Sequence, residues 1–348
     1  MYVVIANKNF ERLGLIENVE LIWASRYYKS GDFELHMALT EDNISLLNDG
    51  FYVIKDDDKN NIGVIEDIEI TSDLNNGDRI SVVGKFASGV VLGSRVVSEQ
   101  TILDGNVQDE VRNLVYKNMI NASNINRNIN FVLLGNLDNT IIDSISIQIT
   151  GANLLEKIEE ICESKGIGFK MPLRDECLYF EMYKGIDRSY AQCVNDWVIF
   201  SDEYDNLSEA NYICQKSALK NLAYVAGEGE GLARKIVSAY NTEDEPKGID
   251  RFEIWVDQRN MSSNDGNITE QELRNQMREE GIENLTTITQ AFDGSISLNG
   301  YEYGKDLFLG DIVSIKKRNW NMFINARIIE CIESYDVNGK TIILTFGI

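Results

Sequence analysis

The chain has 348 residues, of which 43% are hydrophobic and 26% are charged, as in a folded globular protein of two or three domains. Its 33 basic and 56 acidic side chains give a formal net charge of −23, which argues against a general binder of nucleic acids or anionic membranes. No apolar run approaches the roughly 20 residues that span a bilayer, and the N-terminus lacks the features of a signal peptide, so we expect no membrane segment and synthesis in a cytoplasm.

The first 90 or so residues have the pattern of an antiparallel β-structure. In "GDFELHMAL" the apolar Phe33, Leu35 and Met37 alternate with polar residues, which predicts a half-buried strand with His36 on its polar face. Asn76-Gly77 lies between two further strand-like runs and predicts a tight hairpin turn. Successive hairpins of this kind predict a first β-barrel over residues 1–99.

A helical periodicity then interrupts the β pattern. Apolar residues at helical spacing follow Asp104 and Asn106, the two candidate caps of a first helix. "NLLEKIEEICESKG" predicts a second helix that ends at Gly166, and strand-like runs surround both helices. Residues 100–190 are therefore predicted to form an inserted α/β domain.

The β pattern returns over residues 191–348 and predicts a second β-barrel. It contains a helical insertion at about 260–290, where Thr269 and Glu272 form a capping-box pattern and Gly281 is expected to end the helix. The apolar stripe of this helix is thin, so we expect it on the surface, with a shorter helical turn in 283–290. The strand-like run 294–304 and a hairpin at Asn338-Gly339 complete a fold predicted as α+β and mainly β.

The five cysteines and the single histidine restrict the available chemistry. No two cysteines form a C-x-x-C pair, and one histidine cannot supply a His-pair metal site. We expect buried thiols rather than disulfides, and no metal or other cofactor. The cysteines are Cys162, Cys177, Cys193, Cys214 and Cys331.

"NLAYVAGEGEGLAR" superficially resembles a phosphate-binding loop. Gly227, Gly229 and Gly231 have the spacing G-x-G-x-G rather than G-x-G-x-x-G, and the intervening Glu228 and Glu230 would repel phosphate. The following residues alternate like a strand and do not begin a helix. The glycines therefore predict a turn or bulge in the second barrel, at an assembly surface or a barrel corner.

Two acidic features suggest other chemistry. "DDDKNN" (56–61) has oxygen ligands at the first positions of a calcium loop but lacks the glycine at position six, so we interpret it as a solvated hairpin tip. A pair of carboxylates could hydrolyse a glycosidic bond, but among 56 acidic residues no pair is distinguished.

"WASRYYKSGDFEL" is dense in aromatic residues, and two interpretations remain open. It forms either a strand, turn and strand with Trp23 in the core, or an interface, since Trp, Tyr and Arg favour such surfaces.

Four stretches in this order resemble a known family. They are "ENVELIWASRYYKSGDFELHMAL", "WVIFSDEYDNL", "NLAYVAGEGEGLAR" and "YGKDLFLGDIVSI". Together they resemble the ReqiPepy-type siphovirus tail protein family, which is related to the baseplate hubs of contractile tails and to the N-terminal part of tail-associated lysins. The residues that carry this structural or assembly motif are Trp23, Arg26, Gly31, Asp32, Phe33, Phe200, Gly227, Gly229, Gly231, Arg234, Gly304, Gly310 and Asp311.

The resemblance implies a structural protein of a phage tail or phage-tail-like particle, made in the bacterial host cytoplasm. It implies two tail-tube-like barrels per subunit and a homotrimer that forms a pseudo-hexameric ring. This ring would join the hexameric tail tube to the trimeric spike or tail-tip protein and would line the central channel. Distal tail or baseplate proteins and the tape measure are further implied partners, with DNA only in passage. Because the chain ends after a predicted closing strand, we expect no lysin domain and no enzymatic activity.

The alternative is a cell-wall or glycan-degrading enzyme, or a glycan-binding module, at the tail tip. Under the hub interpretation, the negative charge would let DNA pass without being held. The acidic segments Asp56–Asp58 and Glu66–Glu69 are the candidates for the channel wall.

Overall fold

The computed structural model describes residues 1–73, 77–207, 210–263, 268–287, 289–293 and 300–348. The fold is mainly β, as predicted. Two features predicted from the sequence lie outside the described residues: Asn76 of the hairpin turn and most of the strand 294–304. Gly77, beside that turn, has a φ of +74°.

The first half of the molecule is a curled antiparallel sheet around its own core. Large apolar side chains such as Trp23, Phe33 and Leu35 point inward from alternate strand positions. Two short helices that the sequence patterns did not reveal connect the strands. The elements are β1 (Tyr2–Ala6), β2 (Arg12–Glu17), β3 (Glu20–Arg26), β4 (Asp32–Ala38), α1 (Glu41–Leu46), β5 (Tyr52–Ile54), β6 (Gly63–Asp73), β7 (Gly77–Phe86) and α2 (Ala87–Gly93).

An α/β insert follows and packs against the first half. Its helices begin where the sequence predicted: the Asn106 side chain accepts from Gln108 N and Asp109 N, and Asn153 caps the second helix in the same way. The second helix ends at Gly166, which has a left-handed φ of +66°. The elements are β8 (Thr101–Asn106), α3 (Val107–Val115) with a π-helical turn (Tyr116–Ile120), β9 (Val132–Leu134), β10 (Ser144–Ile149), α4 (Leu154–Lys165), β11 (Gly168–Lys170), β12 (Leu173–Arg174) and β13 (Cys177–Tyr183).

The second half contains a further β core and a small α/β unit of its own. The core includes Phe200, Phe292 and Phe346, all fully buried. The elements are β14 (Ile199–Ser201), β15 (Asn211–Gln215), β16 (Leu222–Ala226), β17 (Ile236–Ala239), β18 (Glu253–Asp257), α5 (Glu270–Glu283), β19 (Thr289–Asp293), β20 (Ile312–Lys317), β21 (Met322–Asp336) and β22 (Gly339–Gly347).

The small unit corrects the placement of several predicted strands. β16, β17 and β18 form a separate three-stranded sheet rather than part of a barrel, and α5 covers one face of it. Helix α5 has the predicted capping box at Thr269, but it continues past Gly281 to Glu283. A Cβ on Gly281 would lie 2.5 Å from Ala239 Cβ, so this glycine permits close packing and does not end the helix. The helix is therefore partly buried, and the predicted turn in 283–290 is wrong because β19 begins at Thr289.

The strand pairings join the two halves into one sheet. Among the described residues its thirteen strands follow the order β15-β19-β22-β21-β3-β4-β7-β6-β5-β1-β2, with β20 paired to β21 and β14 to β20. Strand β21 pairs with β20 through Met322–Arg327 and with β3 through Glu330–Tyr335. The described pairings do not close a barrel in either half. Two closed or nearly closed barrels were expected, whereas the described strands of both halves share one sheet in which no closed barrel is found.

The two halves nevertheless share one strand order, except that β1 is antiparallel to β5 whereas β14 is parallel to β20. The order β3-β4-β7-β6-β5-β1 corresponds to β15-β19-β22-β21-β20-β14. Trp23 pairs with Phe33 across β3 and β4, and Tyr212 pairs with Phe292 across β15 and β19. Strand β6 has an irregularity between Ile65 and Asp67, and β21 has one between Ile328 and Glu330. Each irregularity is a β-bulge, and the two bulges occupy the same place in β6 and β21. They therefore determine which residue of β6 is equivalent to which residue of β21.

Candidate functional site

The residue that connects all three parts of the molecule is Tyr27, directly after β3. Its side chain is fully buried, and its hydroxyl accepts a hydrogen bond from Gly185 N at 3.1 Å. The carbonyl oxygens of Gly166 and Tyr183, both in the insert, lie 3.2 and 3.3 Å from the same hydroxyl. The guanidinium of Arg327, from β21, lies 5.4 Å from the ring centroid. Burial raises the pKa of Tyr27 to about 12, so it stays neutral and can donate to one of these carbonyls.

Glycines make room for this tyrosine. A Cβ on Gly310 would lie 2.3 Å from the Tyr27 ring, and one on Gly168 would lie 2.4 Å from it. Gly310 also has a φ of +93°, and its carbonyl accepts a hydrogen bond from Arg327 at 2.7 Å. Gly310, one of the family-like motif residues, is therefore required by sterics and by backbone conformation.

Asp311 ties the end of the insert to the second half. Its buried carboxylate accepts from Ile186 N at 2.8 Å, from Phe308 N at 3.1 Å and from Arg188 Nε at 2.8 Å. A buried carboxylate that accepts several such bonds holds its donors in place.

On the outer face of the sheet, Arg26 forms ion pairs that link three strands. It lies 2.6 Å from Asp32 and 2.8 Å from Glu330, which joins β3 to β4 and to β21. Burial acts to lower the pKa of Arg26, but the hydrogen bonds and charges of the two carboxylates outweigh it and raise the pKa. The stretch around Trp23 thus matches the core-strand interpretation, because Trp23 is buried and β3 pairs with β4, while the interpretation as an interface remains a prediction.

A buried lysine connects the first half to the closing hairpin. Lys55 is 1% exposed, and its Nζ lies 2.6 Å from Asp57 and 3.0 Å from Glu333. Lys340 pairs with the same two carboxylates, and the Tyr335 hydroxyl donates to Glu333 at 2.9 Å. The cluster balances two carboxylates with two ammonium groups.

The segment 56–61 connects the antiparallel strands β5 and β6 and is mostly exposed, as the hairpin-tip interpretation predicts, but Asp58 also makes internal contacts. The indole N–H of Trp23 donates to Asp58 at 2.8 Å, and the amides of Asn60 and Asn61 donate to the other oxygen of the same carboxylate. Because protein donors engage both oxygens of Asp58, they are not arranged as calcium ligands. No group of three or more potential metal ligands occurs among the described residues.

These contacts border a cleft of about 740 Å³ between the first half, the insert and the second half. A hydrolytic pair would need one carboxyl free to donate a proton and another free to attack or activate water. Each carboxylate named above on the cleft wall instead faces a cation or an N–H donor. Glu302, also on the wall, pairs with Lys305 at 3.2 Å. The cleft geometry therefore offers the glycan-hydrolase alternative no specific support.

The glycine stretch lies between β16 and β17 of the three-stranded sheet. Gly229 and Gly231 have positive φ angles of +98° and +53°, as the turn interpretation requires. Arg234 donates to the carbonyls of Ala226 and Gly227 at 2.9 and 3.2 Å and pairs with Asp257. Arg234 thus holds the turn closed through these contacts, and the helical element that follows Gly229 is a single 3-10 turn, Gly231–Ala233, too short to offer a phosphate-binding helix N-terminus.

The remaining motif residues occupy packing positions. A Cβ on Gly31 would lie 2.1 Å from the Ala24 carbonyl oxygen, so only glycine fits. Phe33 belongs to the first core and Phe200 to the second. Gly304 has a φ of +89° with open space around it. The motif residues are thus distributed over the molecule and do not converge on one pocket.

Sequence reasoning missed Tyr27, Lys55, Arg327 and Glu333, which make the central contacts. Lys55 and Glu333 are 278 positions apart, and each looks like a surface residue in its local sequence. The one available signal was the density of aromatic residues around Tyr27. No described helix has the length and hydrophobicity needed to cross a membrane.

The molecule is thus a mainly β protein in which one strand order occurs twice. The chain belongs to the family of Siphovirus ReqiPepy6 Gp37-like proteins, which it matches over residues 2–348. It is accordingly a structural protein of the virion tail, as the resemblance implied. No curated protein matches the chain.

Solved phage tail proteins share the fold over the whole chain. The prophage tail protein gp18 of Listeria monocytogenes EGD-e is 13% identical with a TM-score of 0.56, covering 100% of this chain and 94% of that one. A tail protein of Neisseria meningitidis MC58 is 13% identical with a TM-score of 0.58, covering 100% and 96%. The 43 kDa tail protein of prophage MuSo2 from Shewanella oneidensis is 12% identical with a TM-score of 0.57, covering 99% and 98%.

Proposed function

We propose that this tail protein is a hub: a homotrimer whose three chains form a pseudo-hexameric ring between the tail tube and the spike or tail-tip protein. The observation that carries this proposal is the repeated strand order within one chain. Three chains would supply six similar β units, which is the number needed to match a hexameric tube. The family membership and the likeness to tail proteins over the whole chain support the same assignment.

In this proposal the chain is divided at the predicted boundaries, 1–99, 100–190 and 191–348. The first and third parts would form the ring, and the insert would project from it. The tape measure and distal tail or baseplate proteins would be further partners. The role is structural rather than enzymatic, because Asp57, Asp58, Asp311 and Glu333 on the cleft wall are engaged in internal contacts.

The negative charge would serve the passage of DNA. Glu66, Asp67 and Glu69 on β6 are exposed and are candidates for the channel wall. Unpaired Lys and Arg side chains there would hold phosphates, whereas acidic ones would not. Asp57 and Asp58 are less suitable candidates because each is engaged in internal contacts.

The mass of the purified chain in solution, followed by a particle reconstruction, tests the hub. We expect a species of three times the 39.4 kDa chain mass, and a ring of three copies stacked on the tube. A strictly monomeric protein that also forms no ring with tube protein would contradict the proposal. A channel wall of net positive charge would overturn the charge hypothesis alone.

A further inference from the structure

The outer half of strand β6 has a free edge. β5 pairs with β6 only at Gly63 and Val64, and no other described strand pairs with its outer edge beyond that point. Residues 66–72 are exposed, including Ile68 at 38% and Ile70 at 49%. An exposed strand edge with two apolar side chains is a site where another strand can add.

Strand β15 provides a second free edge. It pairs with β19 on one side and is the terminal strand of the described sheet on the other. Tyr212 is half-buried and Cys214 is exposed on this strand. Six strands separate β15 from β6 in the sheet order, so the chain does not bring its own two edges together.

The molecule already contains the contact that these two edges would make. Strand β21, the equivalent of β6, pairs antiparallel with β3, the equivalent of β15. In that ladder Cys331 lies opposite Ser25, and Glu333 lies opposite Trp23. The matching bulges and the matching residue pairs described above predict which residues of β6 and β15 would lie opposite each other. Cys331 corresponds to Ile68, and Ser25 corresponds to Cys214.

We propose that β6 of one copy pairs antiparallel with β15 of a second copy, with Ile68 opposite Cys214 and Ile70 opposite Tyr212. This pairing rests on the proposed hub and names the interface that would build it. The contact is head to tail, because each copy offers one edge of each kind. Repeated around three copies, it would alternate with the internal β21–β3 ladder and give six ladders of the same design.

Burial and charge both support a second copy as the occupant. In the internal ladder, the partner strand helps to bury Cys331 and Glu333, and the same coverage would remove Ile68 and Ile70 from water. Lys216 is exposed and directly follows β15. It corresponds to Tyr27, whose backbone N–H donates to the carbonyl oxygen of the bulge residue Ile329. It would therefore lie beside Glu66, the bulge residue of β6, and close to Asp67.

A single substitution tests this register, since the partner cysteine is native. Ile68→Cys should form an intermolecular disulfide with Cys214 under mild oxidation, because directly opposed strand residues have Cα atoms about 4.5 to 5.5 Å apart. We expect covalent dimers and trimers on non-reducing gels and no larger ladder. Ile70→Cys, two positions away on the same face, is the matched control and should cross-link at least tenfold less. Ile68→Cys combined with Cys214→Ser should lose the product.

The mass of the unoxidised protein, measured on the same samples, separates the two proposals. Trimers in which Ile68→Cys gives no product dependent on Cys214 would overturn the strand pairing and leave the hub intact. Monomers without cross-links, alone and with tube protein, would overturn both. As a second test, Ile70→Asp alters a side chain that is already exposed in one chain, so it should fold normally but lose the trimer. A trimer of unchanged stability would contradict the pairing.

Discussion

Lys55 Nζ lies 3.0 Å from Glu333 Oε1, so a residue that follows β5 is paired with the closing hairpin of the chain. Both side chains are buried, and removing the Glu333 carboxylate leaves the two ammonium groups of the cluster with one carboxylate, that of Asp57. We expect Glu333→Gln to lower the free energy of unfolding by about 3 kcal/mol, measured by urea denaturation. Glu302→Gln, which removes an exposed pair with Lys305, is the control and should cost less than about 1 kcal/mol. Equal losses of unfolding free energy in the two variants would show that the buried cluster stabilises the fold no more than an exposed ion pair does.

The same cluster predicts a loss of stability in acid. Burial acts to raise the pKa of Asp57, but Lys55, Lys340 and the Tyr335 hydroxyl outweigh it and hold the pKa below the ordinary 3.8. A carboxyl with a depressed folded pKa stabilises the protein above its unfolded pKa, and this stabilisation is lost as the pH falls through the folded pKa. We expect Asp57→Asn to flatten the fall in unfolding free energy below about pH 4. Asp49→Asn, at an exposed site, should leave that fall unchanged.

Glu283 predicts the opposite pH dependence. It lies 2.9 Å from Lys157 at the contact of α4 with α5, its other oxygen has no protein hydrogen-bond partner, and burial raises its pKa above the ordinary 4.5. Glu160, Glu279 and Glu280 add negative charge around the same contact. A raised folded pKa gives stabilisation that is complete below the unfolded pKa and is lost as the pH rises through the folded value.

Glu283→Gln should therefore weaken the loss of unfolding free energy that accompanies a rise in pH above the ordinary carboxyl pKa of 4.5. The measurement is urea denaturation at several pH values. Glu156→Gln, at an exposed position on α4 away from this contact, is the matched control and should retain the wild-type slope. A wild-type slope in Glu283→Gln would contradict this assignment.

Gly304 and Gly310 have nearly the same positive φ but differ in the space available for a side chain. Comparing them separates the cost of a steric clash from the cost of the backbone conformation. Alanine at Gly310 would place its Cβ 2.3 Å from the Tyr27 ring, whereas alanine at Gly304 would meet open space. We expect Gly304→Ala to cost about 1 kcal/mol, from its positive φ alone. Gly310→Ala should cost at least about 3 kcal/mol because it adds overpacking. Thermal denaturation of the two variants measures the difference, and similar melting temperatures would be contrary to the close contact with Tyr27.

The sequence predicted what depends on neighbouring residues. The caps at Asn106 and Thr269 and the stop at Gly166 were found because a cap is a local hydrogen-bond pattern. Gly281 misled the prediction, since its role is contact with Ala239 on another strand and not a change of backbone direction.

What the sequence could not predict depends on partners distant along the chain. The β16–β18 strands have the alternation of any strand, and nothing local says that they leave the main sheet. The same holds for β21, whose two ends join different halves. The family resemblance supplied the class of protein, while the tie through Tyr27 and the repeat of the bulge became visible only in three dimensions.

Strand β21 also has a mechanical consequence. Its Met322–Arg327 segment is hydrogen-bonded into the second half and its Glu330–Tyr335 segment into the first, with one continuous backbone between them. A pull along this strand loads many backbone hydrogen bonds in shear at once, and they cannot give way one after another. The two halves should therefore bear force together and unfold in one step, so that a tension applied at one end of the molecule reaches the other without a hinge.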